Sequence, residues 1–81
     1  EQGDADAQYN LGIMYDNGQG VPQDFKTTAK WWKFAAEQGH ADGQFKLGGL
    51  YFLGKGVIED YISAYMWFNI AASSGKHEHF L

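Results

Sequence analysis

Residues 5–21 read ADAQYNLGIMYDNGQGV, and residues 41–57 read ADGQFKLGGLYFLGKGV. The second stretch repeats the first after 36 positions, and aligning residues 4–39 with 40–75 gives 14 identities in 36 without a gap. Unrelated segments of this length share far fewer residues, so the chain contains a tandem repeat. A period in the thirties is typical of stacked supersecondary units that complete one another's cores.

Each unit has the pattern of two helices joined by a glycine-rich turn. In the first unit Ala7, Leu11 and Tyr15 recur at i, i+4 and i+8, which places them on one helical stripe. The segment 17–22, with two glycines and a proline, then interrupts the helix. We predict helices at about 4–17, 24–38, 40–53 and 60–74. The fold class is therefore all-α, an α–α superhelix of two helix–turn–helix repeats.

The chain is expected to form a single solenoid segment over residues 1–81. Residues 4–39 form repeat one, residues 40–75 form repeat two, and 76–81 form a short tail. Asp4 and Asp24 stand where N-caps are needed, because a short acidic side chain can accept the first free backbone N–H groups of a helix. Arrays usually need three or more repeats for stability. Two repeats should therefore be weakly stable or should self-associate through their open ends.

The second helix of repeat one has an inner and an outer face. Its inner positions are Thr28, Trp31, Trp32, Ala35 and Ala36. Its outer positions form a charged stripe: Lys26, Lys30, Lys33 and Glu37. Gly12 and Gly48 recur in the middle of the first helices, where glycine costs about 1 kcal/mol relative to alanine. We expect them to admit a large side chain of the partner helix, namely Trp32 or Phe68.

Composition excludes several functional classes. The net charge is −4, and all six basic residues are lysines, which argues against a nucleic-acid partner. The absence of cysteine removes disulfides and cysteine-based metal sites. The apolar runs are too short for membrane insertion. The opening residues Glu1-Gln2-Gly3-Asp4 do not have a signal-peptide pattern, and the compartment stays undetermined.

No motif in the sequence predicts catalysis, a cofactor or a metal. His77-Glu78-His79 lies in the tail, where alternation separates the side chains, so a solvated tail is favoured over a zinc site. His40 begins a helix with no evident partner nearby. The Gly-x-Gly pairs follow no strand, which disfavours phosphate binding. We therefore expect a protein that is not an enzyme.

The repeated pattern A-x-A/G-Q-x-x-L-G-x-x-Y-x-x-G-x-G-V-x-x-D, followed by W-(aromatic)-x-x-A-A-x-x-G, resembles the Sel1-like repeat (SLR) family. This family is related to the tetratricopeptide repeats, and the likeness covers residues 4–75. The run 64–72 is similar to late repeats of bacterial members. Secreted members with cysteine-bridged helix pairs exist, but this chain has no cysteine, so an activity of that subgroup should not be transferred to it.

The resemblance implies a scaffold or adaptor that binds a protein or peptide on a concave face lined by the first helix of each repeat. By analogy with tetratricopeptide proteins, we predict that this face carries Asp6, Tyr9, Ile13, Asp16, Asn17, Asp42, Phe45, Phe52 and Leu53. An alternative for Tyr9 and Phe45 is that they pack on the next repeat. An alternative for Phe52 and Leu53 is burial against a third repeat.

Two other functional interpretations remain open. The repeats could be structural spacers in a longer array, which carry shape but no site. The chain could also be a cell-wall-related ligand binder or hydrolase like the cysteine-bridged relatives. This interpretation is the least favoured because the chain has no cysteine.

Overall fold

The protein is all-α in the computed structural model, which describes residues 4–75 and, within them, the side chains of 4–73. The helices are α1 (Ala5–Asn17), α2 (Phe25–Glu37), α3 (Ala41–Leu53) and α4 (Tyr61–Gly75). Each helix packs against the next one in the chain, α1 on α2, α2 on α3 and α3 on α4. The predicted fold class is confirmed, and each helix begins and ends within one residue of the predicted position.

Aspartates begin three of these helices. Asp4 accepts the Ala7 N–H at 3.1 Å, and Asp24 accepts the Lys26 and Thr27 N–H groups at 3.1 and 3.3 Å. Asp60 caps α4 in the same way. Hydrogen bonds from the Thr27 hydroxyl and N–H hold the pKa of the Asp24 carboxyl below its usual value.

The turn inside each repeat is closed by glycine and by a backbone hydrogen bond. Gly18 and Gly54 end α1 and α3 with φ of 70° and 69°, a left-handed conformation that glycine adopts without steric cost. The Asp24 N–H then donates to the Tyr15 carbonyl at 3.0 Å, and the Asp60 N–H donates to the Tyr51 carbonyl at 2.9 Å. These bonds hold the start of the second helix in each repeat against the end of the first helix.

A ring of the second helix packs against the glycine of the first helix in both repeats. A Cβ on Gly12 would overlap the Trp32 indole, and a Cβ on Gly48 would lie 2.7 Å from the Phe68 ring. Trp32 is only 2% exposed, and its Nε1–H donates to the Tyr9 carbonyl at 3.1 Å. The prediction that Trp32 or Phe68 fills the space beside these glycines is confirmed, and each fills one.

The buried core lies at the junction of the two repeats. Its members are Ala29, Trp32, Ala36, Leu47 and Leu50. Ala29, which the sequence did not assign to the inner face, is 6% exposed because it faces repeat two. The lysine and glutamate stripe of α2 is exposed, as predicted.

Polar and glycine contacts fix how the repeats stack. The buried Gln44 amide donates to the Ala36 carbonyl at 3.1 Å. Gly56 lies so close to the backbone of Phe25 that a Cβ there would overlap its carbonyl, and the Lys55 ammonium lies 4.5 Å from the Phe25 ring. The turn of repeat two therefore packs against the N-terminal end of α2.

We predict that Gly12→Ala and Gly48→Ala each destabilise the protein by about 1–3 kcal/mol, because a methyl group forced against a buried ring costs more than the gain in helix propensity. Gly49→Ala is the matched control: a Cβ there meets nothing within 4 Å, so alanine should stabilise the chain by up to about 1 kcal/mol. Urea unfolding monitored by circular dichroism measures all three. Equal effects at Gly48 and Gly49 would contradict the ring-on-glycine contact.

Candidate functional site

The predicted α1 residues differ in how much of each is available to a partner. The Asp6 side chain is 86% exposed, and Asn17 is exposed. Asp16 is half-buried, and Tyr9 and Ile13 are partly buried and pack against the core. A partner could therefore reach the acidic groups and the outer edges of Tyr9 and Ile13, while the rest of these two side chains helps to hold the repeats together.

The α3 residues are more open and more apolar. Phe45, Phe52 and Leu53 are 58%, 42% and 62% exposed, and Asp42 is exposed as well. Phe45 packs on Phe68 with ring centroids 5.4 Å apart, the counterpart of the Tyr9–Trp32 pair in repeat one. Because these side chains lie on one regular helix, their spacing is fixed before any partner arrives.

The structure brings some members of the predicted set together. Partial burial raises the pKa of the Tyr9 phenol, and the negative charge of Asp42 on α3 raises it further. Phe52 contacts Tyr61 of α4 with ring centroids 5.2 Å apart. The α3 end of the set is thus continuous with the exposed surface of α4.

His40 has several partners, so the expectation that it has none was wrong. Its Nδ1 accepts the Gly43 N–H at 2.9 Å and so serves as the N-cap of α3, and its Nε2 lies 3.0 Å from the Asp6 carboxylate. The imidazole also stacks on Tyr9, with centroids 4.6 Å apart and planes inclined by 25°. With Nδ1 as the acceptor, Nε2 carries the hydrogen that is donated to Asp6.

These contacts define what we call socket one: Asp6, Tyr9 and Ala35, which hold His40 at the junction of the repeats. Besides the two side-chain contacts, the His40 N–H donates to the Ala35 carbonyl at 3.1 Å. One face of the Tyr9 ring therefore packs on His40 of the next repeat, which is the alternative interpretation considered for Tyr9. Sequence reasoning missed this contact because His40 meets the α1 and α2 residues of socket one only when repeat two stacks on repeat one.

An open cavity of about 300 Å³ lies between α3 and α4. It is lined by Ala41, Asp42, Phe45, Phe68, Ala71 and Ala72. Asp42, Phe45 and Ala71 stand 36 positions after Asp6, Tyr9 and Ala35, so we call this cavity socket two. The residue 36 positions after His40 is Lys76, which lies outside the described residues, as do the tail and His77-Glu78-His79.

A larger groove of about 560 Å³ is formed by α1 and α2. It is lined by Gln8, Lys30, Trp31, Phe34, Glu37 and Gln38. The Gln38 amide donates to the Gln8 side-chain oxygen at 2.6 Å, which joins α1 and α2 beside the groove. The alignment of the two repeats could have predicted this groove. Trp67, which corresponds to Trp31, packs against the core of the preceding repeat.

The described part of the chain offers no group of three or more histidine, aspartate or glutamate side chains placed to hold a metal ion. Among helices α1 to α4, none is both long and apolar enough to cross a lipid bilayer.

Comparison with known proteins identifies the repeat. The family model described as Sel1 repeat matches residues 5–40 and 41–76. A Sel1 repeat protein from Oxalobacter formigenes is 38% identical with a TM-score of 0.90 over 98% of this chain. The protein c5321, a protective antigen of uropathogenic Escherichia coli strains with an SLR fold, is 46% identical with a TM-score of 0.88 over 91% of this chain. Helicobacter pylori cysteine rich protein B is 28% identical with a TM-score of 0.86 over 95% of this chain.

This chain spans only part of each of those proteins: 32% of the Oxalobacter protein, 16% of c5321 and 59% of the Helicobacter protein. All three are bacterial, in agreement with the origin indicated by the sequence. Among curated proteins, none matched the chain significantly.

Proposed function

The chain belongs to the Sel1 repeat family, and from this premise we propose that it binds a peptide or protein segment along the face formed by α1 and α3. Sel1 repeats are generally protein–protein interaction modules and generally not enzymes. The observation that carries the proposal is the exposure of Phe45, Phe52 and Leu53 on one rigid helix. Large apolar side chains held in fixed positions give a partner anchoring sites at little entropic cost.

The charge of this face supports a basic, partly apolar partner. Asp6 and Asp42 are exposed acidic groups on the predicted set, and Asp16 adds a third carboxylate. Lys46 of α3 lies beside the set, with its ammonium 6.0 Å from the Trp32 ring. A segment that combines apolar side chains with one or two basic groups complements this arrangement best.

A displayed library of random peptides, selected on the full chain, tests the proposal. Selected peptides should bind saturably in fluorescence polarisation, and Phe45→Ser or Leu53→Ser should weaken binding at least about tenfold, as loss of an anchoring contact typically does. Ile58→Ser is the matched control, because Ile58 is 90% exposed and lies in the turn that precedes α4. Peptides that bind the Phe45 and Leu53 variants unchanged, with helix content retained, would refute the assignment of the face.

A second role, as a unit within a longer array or assembly, is favoured by the outer surface of α4. Ile62, Tyr65 and Met66 are 84%, 56% and 47% exposed. The residues 36 positions earlier are Lys26, Ala29 and Lys30, so repeat two is markedly more apolar there than repeat one. An apolar surface of this kind is typical of an interface with another protein unit.

We predict that the chain associates weakly with itself as its concentration rises, through this surface of α4. The double variant Ile62→Lys, Met66→Lys places on α4 the lysines that α2 has at the same positions, and it should remain monomeric. Sedimentation velocity over a series of concentrations measures both proteins. A wild-type chain that stays monomeric throughout would count against the role in an assembly.

A further inference from the structure

Two glycines lie side by side in the middle of α3, and within the described residues only the first is covered by a side chain. A Cβ on Gly48 would lie 2.7 Å from the Phe68 ring, so the fold itself requires glycine there. At Gly49, which is partly exposed, no described atom outside the adjoining stretch of helix lies within 4 Å of where a Cβ would be. Glycine lowers helix stability relative to alanine, and the packing of the described residues gives no reason for it at position 49.

The helix surface around Gly49 has large apolar side chains on both sides. Positions i−4, i+3 and i+4 adjoin it on the helix, and they hold Phe45, Phe52 and Leu53. These three side chains are exposed by 58%, 42% and 62%. We call this stretch of bare helix backbone, with its three walls, the Gly49 notch.

The same position in repeat one is filled. Ile13 stands 36 residues before Gly49, and its side chain is partly buried and packs against the core. The next residues of the predicted face in repeat one, Asp16 and Asn17, are polar. Repeat two therefore has a glycine and two apolar neighbours where repeat one has an isoleucine and two polar neighbours.

The chain itself shows what packs over a glycine in the middle of a helix. Trp32 lies over Gly12 and Phe68 lies over Gly48, so an aromatic ring of a neighbouring helix covers each of them. A flat ring gains the most contact where no Cβ holds it away from the backbone, and it packs favourably beside other rings. The Gly49 notch, with exposed phenylalanines among its walls, therefore suits an aromatic side chain supplied by a partner.

The charges near the notch indicate what accompanies this ring. Asp42 is exposed and stands seven residues before Gly49, so it lies in line with the notch at about 10 Å along the helix axis. Asp6 lies at the same end of the face, because its carboxylate is 3.0 Å from the imidazole that caps α3. The ammonium of Lys46 lies over the Trp32 ring, 6.0 Å from its centroid. Two carboxylates favour a basic group on the partner, and about three extended residues span the distance from that group to the ring.

We propose that the Gly49 notch receives an aromatic side chain of the partner, and that a basic residue three positions away in the partner pairs with Asp42. The inference rests on the proposed function, because it assigns the anchoring side chain of the segment bound along α1 and α3. It gives Gly49 a role in specificity that the packing of the described helices does not supply.

The test uses the full 81-residue chain and the peptide acetyl-Lys-Ala-Ala-Phe-Ala-Ala-Lys-amide, which places a lysine three residues from the ring in either chain direction. Versions with leucine for phenylalanine, or glutamate for both lysines, are compared by NMR titration. We expect saturable shifts at millimolar peptide, with the parent peptide at least about threefold tighter than the leucine version and fivefold tighter than the glutamate version. A ring in the notch should shift the Gly49 Hα signals upfield and give nuclear Overhauser contacts to them.

Matched variants separate the notch from the stability of the helix. With the Phe45 ring signals as reporter, Gly49→Ala should weaken the parent peptide at least about fivefold, and Gly49→Ile, which copies repeat one, should abolish its binding. Gly49→Ala should nevertheless unfold at a urea concentration no lower than the wild type, because alanine favours the helix. Asn10→Ala, at an exposed position of α1 outside the predicted face, favours the helix in the same way and should leave the affinity unchanged. Asp42→Asn should reduce the preference for lysine over glutamate at least about threefold.

The proposal is overturned if the parent peptide gives no saturable shift, or if its leucine or glutamate version binds as tightly. It is also overturned if Gly49→Ala binds undiminished, or if that variant is less stable than the wild type, since the fold itself would then require the glycine. Nuclear Overhauser contacts in the free chain from Gly49 to Phe80 or Leu81, or to a second copy, would show a different occupant and overturn it as well.

Failure of the notch is distinct from failure of the proposed function. Library peptides that depend on Leu53 but bind Gly49→Ala unchanged would refute the notch alone. An absence of any library binder would refute the binding face.

Discussion

An aromatic ring packed against a helix glycine is the contact on which both hairpins depend. Trp32 meets Gly12 in repeat one and Phe68 meets Gly48 in repeat two, and in each case a Cβ on the glycine would collide with the ring. Glycine in the middle of a helix costs about 1 kcal/mol relative to alanine. It is retained at both positions because it lets the two helices of a hairpin approach closely enough to bury the ring. The small core of this chain is built around that approach.

The same packing leaves other faces of the helices open to a partner. Trp32 of α2 is buried against α1 and repeat two. The residues on the opposite side of α1 and α3 are therefore under weaker packing constraints. There the two repeats diverge: Asp16 and Asn17 in repeat one correspond to Phe52 and Leu53 in repeat two. Where one repeat meets the next, polar groups determine the register, since the Gln44 amide bonds the Ala36 carbonyl and His40 enters socket one. A single hairpin lacks these partners, which is why a repeat and its neighbour form the structural unit.

The sequence predicted the architecture because its strongest signals are local and periodic. The shift of 36 residues defined both repeats, and caps such as Asp24, with glycines such as Gly18, marked the ends of helices to within one residue. Contacts between repeats were harder to predict. His40 interacts with a tyrosine 31 positions earlier in the chain, and a histidine N-cap has no strong sequence signature. The sequence does not distinguish Ala29 from an exposed small helix residue, because its burial depends on contact with repeat two. The binding face was predicted by analogy alone and stays a prediction.

A double-mutant cycle at Gly12 and Trp32 tests the ring-on-glycine contact most directly. The free energy of unfolding in urea is measured for the wild type, Gly12→Ala, Trp32→Leu and the double variant. If the indole is what excludes a side chain at position 12, the alanine should cost less when leucine replaces the tryptophan, by at least about 1 kcal/mol, a coupling typical of residues in contact. Additive costs of the two substitutions would contradict the account, because they would show that Gly12 is required for some reason other than the ring packed against it.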